Sequence, residues 1–228
     1  MKTAELIDIV KDYSQSGTAV STRVLDGISL TITKGETIAI TGPSGSGKTT
    51  LLNILGTLDQ PTSGKVILGG KNVDQMDEKQ LSRLRNRFTG FIFQLHLLLP
   101  QLTVLENVLL PVMPVDDKLF RKEAGLHAVE LLERVGLKEH LSHYPGRLSV
   151  GECQRAAVVR ALINKPKLLL ADEPTGSLDA RNASILSELL AELHESYDYS
   201  LVIVTHDSEV AKRMKTHYRL MNGKLTEK

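Results

Sequence analysis

The chain has 228 residues, ample apolar content for a core and a net charge of only +1, so bulk electrostatic binding of nucleic acid is not expected. A single cysteine excludes an internal disulfide and fits a reducing compartment. No apolar run approaches the roughly 20 residues that span a bilayer, and the first residues lack the basic start and apolar block of a secretion signal. The expectation is a soluble cytoplasmic chain that meets a membrane only through a partner.

In chain order, the first forty residues read as strands. Ile28–Thr33 alternates apolar and polar, Lys34-Gly35-Glu36 turns, and Thr37–Thr41 leads into a glycine-rich loop. Thr50–Leu58 is predicted helical, Asp59–Gly64 carries turn chemistry, and Lys65–Leu68 and Gly90–Gln94 read as short strands. Thr103–Val112 and Lys118–Val135 are predicted helices. The second has Phe120, Ala124, Ala128, Leu131, Leu132 and Val135 on one face and Gly136 to end it. Cys153–Asn164 continues a further helix, and Lys167–Ala171 is an apolar strand of the kind buried on both faces of a parallel sheet. Ala183–Glu195 is a helix, Leu201–Thr205 a second buried strand, and Tyr218–Met221 with Lys224–Thr226 a terminal hairpin about Asn222-Gly223. The order implies an α/β fold over 1–228 with a helical insertion at about 95–160.

Gly42-Pro43-Ser44-Gly45-Ser46-Gly47-Lys48-Thr49 is a phosphate loop between a strand and a helix, with Thr50 following. Its glycines let backbone N–H groups approach phosphates, Lys48 adds a point charge to the β- and γ-phosphates, and the Thr49 hydroxyl can hold Mg²⁺. Asp172 and Glu173 end a buried strand, where parallel α/β sheets open their ligand crevice. Asp172 is the expected Mg²⁺ partner, and Glu173 a general base toward water. Gln94 and His206 each follow an apolar strand.

Leu148-Ser149-Val150-Gly151-Glu152-Cys153-Gln154-Arg155 is the most telling stretch. Ser149 three residues before Glu152 is a capping-box pattern, and a helix start presents unpaired N–H groups suited to an anion. The chain thus offers two such starts about a hundred residues apart, and one nucleotide does not need both.

With Gly42–Thr49, Gln94, Leu148–Arg155, Leu168–Glu173, Ser177-Leu178-Asp179 and His206 in this order, the chain resembles the ATPase subunits of ABC transporters nearly end to end. The resemblance implies a phosphate-loop nucleotide hydrolase fold with an N-terminal antiparallel part. It also implies a head-to-tail homodimer, or pair of ATPase subunits, closing over two ATP molecules with Mg²⁺. Each ATP would lie between one copy's phosphate loop and the other's Ser149, Gly151 and Glu152. Tyr13 would stack on adenine. Gln94 would sense Mg²⁺ and the attacking water and couple to the permease, Glu173 would be the base, His206 would link Glu173 to the γ-phosphate, and Asp179 would work across the interface. Leu84–Arg87, Gly90–Gln94, Leu98–Pro100, Leu105–Val108 and Ala171–Ala183 are similar to the MacB/LolD group, most of all to its lipoprotein-releasing ATPases. That group serves inner-membrane permeases, which places the chain on the cytoplasmic face. Two positions depart from the family pattern: Val150 replaces the first of two glycines, and Ser177 an asparagine. Retention of Gly151 implies that close backbone approach is demanded at 151 and not at 150.

Rival readings fit less well. Soluble ABC-type proteins of translation or DNA repair carry two cassettes or long coiled-coil inserts, a regulator of a membrane-bound envelope complex is a further alternative, and a phosphate-loop kinase or GTPase leaves Leu148–Arg155 unexplained. Arg83, Arg85 and Arg87 read as a solvated face, His140 and His143 lack further metal ligands, and Cys153 reads as a packed thiol. Leu95–Leu102 reads as core, with part available to receive a cytoplasmic permease helix.

Overall fold

The computed structural model describes residues 1–14 and 21–228. In chain order its elements are β1 (Lys2–Ser14), β2 (Ser21–Thr33), β3 (Thr37–Thr41), α1 (Lys48–Leu55), β4 (Ser63–Leu68), β5 (Lys71–Asn72), α2 (Glu78–Phe88), β6 (Thr89–Ile92), α3 (Val104–Leu109), α4 (Lys118–Arg134), α5 (Val150–Leu162), β7 (Leu168–Asp172), α6 (Ala180–Ser196), β8 (Ser200–Val204), α7 (Ser208–Lys212), β9 (Thr216–Met221) and β10 (Lys224–Glu227).

Two sheets result. One is antiparallel, in the order β2-β1-β4-β5. The other runs β10-β9-β3-β8-β7-β6, parallel throughout except for the β9–β10 hairpin. That hairpin turns on Asn222 and Gly223, both at positive φ (51 and 73), as a type I′ turn requires.

The apolar runs of the central strands have a direct packing reason. In β7, Leu168 and Leu170 enter one buried cluster, while Leu169 and Ala171 enter the other. In β8, Val202 and Val204 face the first, and Leu201 and Ile203 the second. Side chains alternate along a strand, so a strand covered on both faces must be apolar at every position. One cluster lies between the sheets and takes in α1; the other joins the lower face of the parallel sheet to α3, α4, α5 and α6.

Several predicted boundaries move. The first helix starts at Lys48, inside the loop, and stops at Leu55 because Gly56 caps it. A side chain at 56 would run into the Phe91 ring. The predicted Thr103–Val112 helix becomes α3 plus a 3₁₀ turn over Leu110–Val112, because Pro111 has no N–H to continue the ladder. Helix α2 was not anticipated. Asp77 and Gln80 form a capping box at its start, and its apolar residues Leu81, Leu84 and Phe88 recur at helical spacing on the face that packs on the core. In α4 the predicted face packs as expected, with Ala124, Ala128, Leu131 and Leu132 buried. No described helix is long and apolar enough to cross a membrane.

Candidate functional site

Strands β3, β8, β7 and β6 are neighbours and run in the same direction. Their C-terminal ends therefore open on one edge of the sheet, where such folds bind ligands. β3 leads into the phosphate loop, β7 ends in Asp172 and Glu173, His206 lies two residues past β8, and Gln94 two residues past β6. A cavity of about 690 Å³ lies there, with Ser44, Lys48, Thr49, Gln94, Glu173 and His206 in its wall.

The loop is shaped for an anion. Gly45 and Gly47 take positive φ (76 and 97), and a Cβ on Gly42 would collide with the Leu220 carbonyl. Lys48 is 8% exposed and curls back to donate from Nζ to the carbonyls of Gly42 (3.0 Å) and Pro43 (3.1 Å). Its charge is held over the loop by two neutral acceptors, which a phosphate would outcompete. Among the described residues, Ser46 Oγ is buried without a partner.

The Thr49 hydroxyl donates to Asp172 Oδ1 at 3.2 Å. Burial pushes the Asp172 carboxyl above the usual carboxylate range, and the Glu173 charge adds to this; the Thr49 bond and Lys48 pull the other way. Hard oxygen donors around a carboxylate that burial disfavours make a donor set that a divalent cation would satisfy.

Glu173 sits at φ 45, a left-handed conformation that costs a residue with a Cβ roughly 1–3 kcal/mol. It is kept there from several directions. Its N–H donates to Val204 O (2.9 Å), and its carbonyl accepts from Gly176 N (2.9 Å). Its Oε2 lies 2.8 Å from His206 Nδ1 and accepts from His206 N at 3.2 Å. The histidine ring is exposed, so the carboxylate is tethered on one side only.

Ser149, Gly151, Glu152 and Asp179 do not line this cavity. Ser149 caps α5 in a full capping box: Oγ accepts from Glu152 N (3.3 Å), and Glu152 Oε2 accepts from Ser149 N and Oγ (2.8 Å each). These bonds hold the Glu152 carboxyl below the usual range. Asp179 caps α6, accepting from Asn182 N and Nδ2 at 2.8 Å each. Val150 is not at positive φ, whereas a Cβ on Gly151 would meet Asn182 Oδ1 at 2.6 Å. Close approach is therefore demanded at 151 and not at 150.

Tyr13 is also outside the cavity wall. Its hydroxyl donates to Asp59 Oδ2 (2.7 Å), and the Lys11 ammonium lies 4.8 Å from its ring centroid. Thr50 follows Thr49 in α1 and lines the cavity. Sequence reasoning missed Val24, which reaches the cavity from β2, and assigned nothing to Gln154. The latter is fully buried, with Nε2 donating to Phe93 O at 2.8 Å. A glutamine on the apolar side of a helix is the signal that marks it.

Comparison with known proteins agrees with this geometry. Residues 25–176 match the family described as ABC transporter. The lipoprotein-releasing system ATP-binding protein LolD of Geobacter metallireducens is 48% identical over 97% of this chain and 96% of its own length. The protein of that name from Bacteroides fragilis is 49% identical over 90% of this chain and 94% of its own. Among solved structures, the dimeric post-hydrolysis state of the ATP-binding cassette MJ0796, bound to ADP and Pi, superposes with a TM-score of 0.86 at 35% identity, over 99% of this chain and 97% of that one. A cavity of phosphate-loop, acidic and histidine groups, a capped helix start outside it, and these likenesses lead to one assignment: the chain belongs to the ABC transporter family, as an ATPase subunit similar to the LolD proteins.

Proposed function

We propose that the chain powers an integral-membrane permease of the lipoprotein-releasing type, acting as a head-to-tail dimer on the cytoplasmic face of the inner membrane. The observation that carries this is the separation of the two anion-receptive helix starts: α1 opens at the cavity, and α5 does not. A helix start that cannot serve its own chain's nucleotide is free to serve a neighbour's. The relatives named LolD support the lipoprotein reading, and the dimeric cassette supports the pairing. Residues 95–160, including α3, α4 and α5, would form the helical part that carries this second start. Leu95 (64% exposed) and Leu97 (54%) on its edge offer an apolar surface for a permease helix. Membrane association would come only through that permease, and nucleic acid plays no part.

In this reading ATP lies on the backbone of Gly42–Thr49 with Tyr13 against the adenine. Lys48 turns from its two carbonyls to the β- and γ-phosphates. Thr49, Asp172 and Gln94 would hold Mg²⁺, which when bound supplies charge neutralisation at the phosphates. Glu173 orients a water and takes its proton, and His206 fixes the carboxylate and reaches toward the γ-phosphate. Ser149 of the partner subunit, with the α5 helix start, adds donors to the charge that develops in the transition state. Asp179 meets the partner across the interface.

The test is Glu173→Gln with ATP and Mg²⁺. Binding survives while proton removal fails, so a closed dimer should accumulate and double the mass seen by light scattering. A mutant that binds ATP and stays monomeric overturns the sandwich.

A further inference from the structure

The segment after β6 carries Gln94 into the cavity and then leaves as an irregular strap over residues 93–102. Its carbonyls are taken by side chains. Gln154 Nε2 donates to Phe93 O (2.8 Å), Ser177 Oγ to Gln94 O (3.0 Å), and Asn107 Nδ2 to Leu99 O (3.0 Å). The most specific grip is that of Arg160, whose Nη2 donates to His96 O and Nη1 to Leu97 O, each at 2.7 Å.

Two successive carbonyls point to one side when the residue between the two peptide planes is helical, in either hand, and not when it is extended. Leu97 takes the left-handed form, at φ 49, a conformation unfavourable for any residue with a Cβ. Arg160 has no carboxylate partner among the described residues, and burial lowers its pKa. The guanidinium thus spends its charge on two carbonyl dipoles. A planar fork reaches the two carbonyls from separate nitrogens in one fixed geometry, which the shorter, freely rotating ammonium of a lysine does not reproduce.

Arg160 and Gln154 belong to α5, the helix capped by Ser149. Helix rise puts Arg160 about 16 Å from that cap on one rigid rod. The rod therefore grips the strap on either side of Gln94, at Phe93 and at His96–Leu97.

We propose that Arg160 is a positioning residue for the ATPase cycle: its fork holds Leu97 left-handed and so makes the Gln94 strap move with the helix that begins at Ser149. This rests on the ATPase reading above. A displacement of the Ser149 end on dimer closure would then reset Gln94, and a push on exposed Leu95 and Leu97 would travel the other way.

The test uses the full chain and two readouts, steady-state ATP hydrolysis and amide hydrogen exchange. Arg160→Lys keeps the charge and loses the fork. It should raise exchange at the Leu98 and Leu99 amides and lower kcat about tenfold, with KM for ATP changed by less than about twofold. Leu97→Val acts from the exposed side, since Leu97 is 54% exposed. A β-branched residue is worst placed at positive φ, so it should reproduce both effects, whereas Leu97→Gly should not. Placing Leu97→Gly in the Arg160→Lys background should recover most of the lost kcat, because glycine takes the left-handed turn without help. Wild-type kcat and exchange in Leu97→Val, or a double variant no better than Arg160→Lys, overturns the proposal. If the wild-type chain hydrolyses no ATP, the ATPase reading fails, and the exchange data still decide whether the fork holds the strap.

Discussion

Gly151 packs its Cα face against the side chain of Asn182, so that a Cβ at 151 would lie 2.6 Å from Oδ1 and 2.9 Å from Cγ, while its neighbour Val150 is 52% exposed. Asn182 has little freedom to retreat, because both its N–H and its Nδ2 donate to the Asp179 carboxylate. The contact thus links the start of α5 to the cap of α6. Gly151→Ala should cost about 1–3 kcal/mol of stability, the usual penalty for overpacking, and slow ATP turnover by displacing both caps. Val150→Gly should leave turnover within a factor of about two and cost at most about 1 kcal/mol, the helix-propensity difference. Thermal melting and steady-state ATPase assays separate the two. A severalfold acceleration in Val150→Gly would show that the valine restrains the cassette.

Ser149 satisfies Glu152 and is satisfied by it, so removal of its hydroxyl has a calculable structural cost of about 1 kcal/mol, that of losing a helix N-cap. If Ser149 also donates to the γ-phosphate of a partner's ATP, Ser149→Ala should lower turnover by tenfold or more, beyond what so small a stability loss explains. Unchanged turnover with lowered melting temperature would leave it a cap alone. The pH dependence has a definite sign. Hydrogen bonds from Ser149 hold the Glu152 carboxyl below its unfolded value, so the stability they supply is present above the unfolded pKa near 4.3 and lost as pH falls through the folded one. Ser149→Ala should flatten that acid limb of the stability profile.

The phosphate loop, both strand-end carboxylates and the capping box were legible because each is a local pattern whose physics needs no tertiary information. The φ of Glu173 was not legible. It is fixed by Val204 O, Gly176 N and His206, which are brought together only when β7 and β8 pair. Nor was the duty of Arg160 visible, since its partners are backbone carbonyls sixty-odd residues away and leave no signature in side-chain spacing. Helix α2 was legible after all, in Asp77 three residues before Gln80 and in Leu81, Leu84 and Phe88 at helical spacing. Arg85 within it, read as part of a solvated basic run, instead donates to Thr57 O at 2.6 Å.

Tyr13 tests the weakest link between motif and geometry. Its hydroxyl is engaged by Asp59, and Lys11 lies over its ring, so contacts within this chain hold the residue in place. If the ring stacks on adenine, Tyr13→Phe should keep ATP affinity while losing the Asp59 bond, and Tyr13→Ala should raise KM for ATP about tenfold, as loss of a base–aromatic stack worth roughly 1–3 kcal/mol implies. Equal KM in all three proteins, with a lower melting temperature in both variants, would assign Tyr13 to holding β1 against the turn at Asp59.

Asp172 opposes stability to function. Burial raises its carboxyl pKa above the unfolded value near 3.9. A raised folded pKa means that the native state binds the proton more tightly, so the favourable contribution is full below the unfolded pKa and disappears as pH rises through the folded one. Wherever this carboxyl is ionised in the native state, its charge sits in a place that burial disfavours. Asp172→Asn keeps the shape, and its amide can still accept from Thr49, without that charge. The variant should melt higher than wild type at pH 7, and the advantage should vanish below about pH 4, where the wild-type carboxyl is protonated in both states. ATP hydrolysis should be lost, and Mg²⁺ should no longer raise the melting temperature of the nucleotide-bound chain. A variant less stable than wild type at pH 7 without nucleotide would mean that the Lys48 charge and the Thr49 bond outweigh desolvation at this position. The strain at the site would then lie in Glu173 alone.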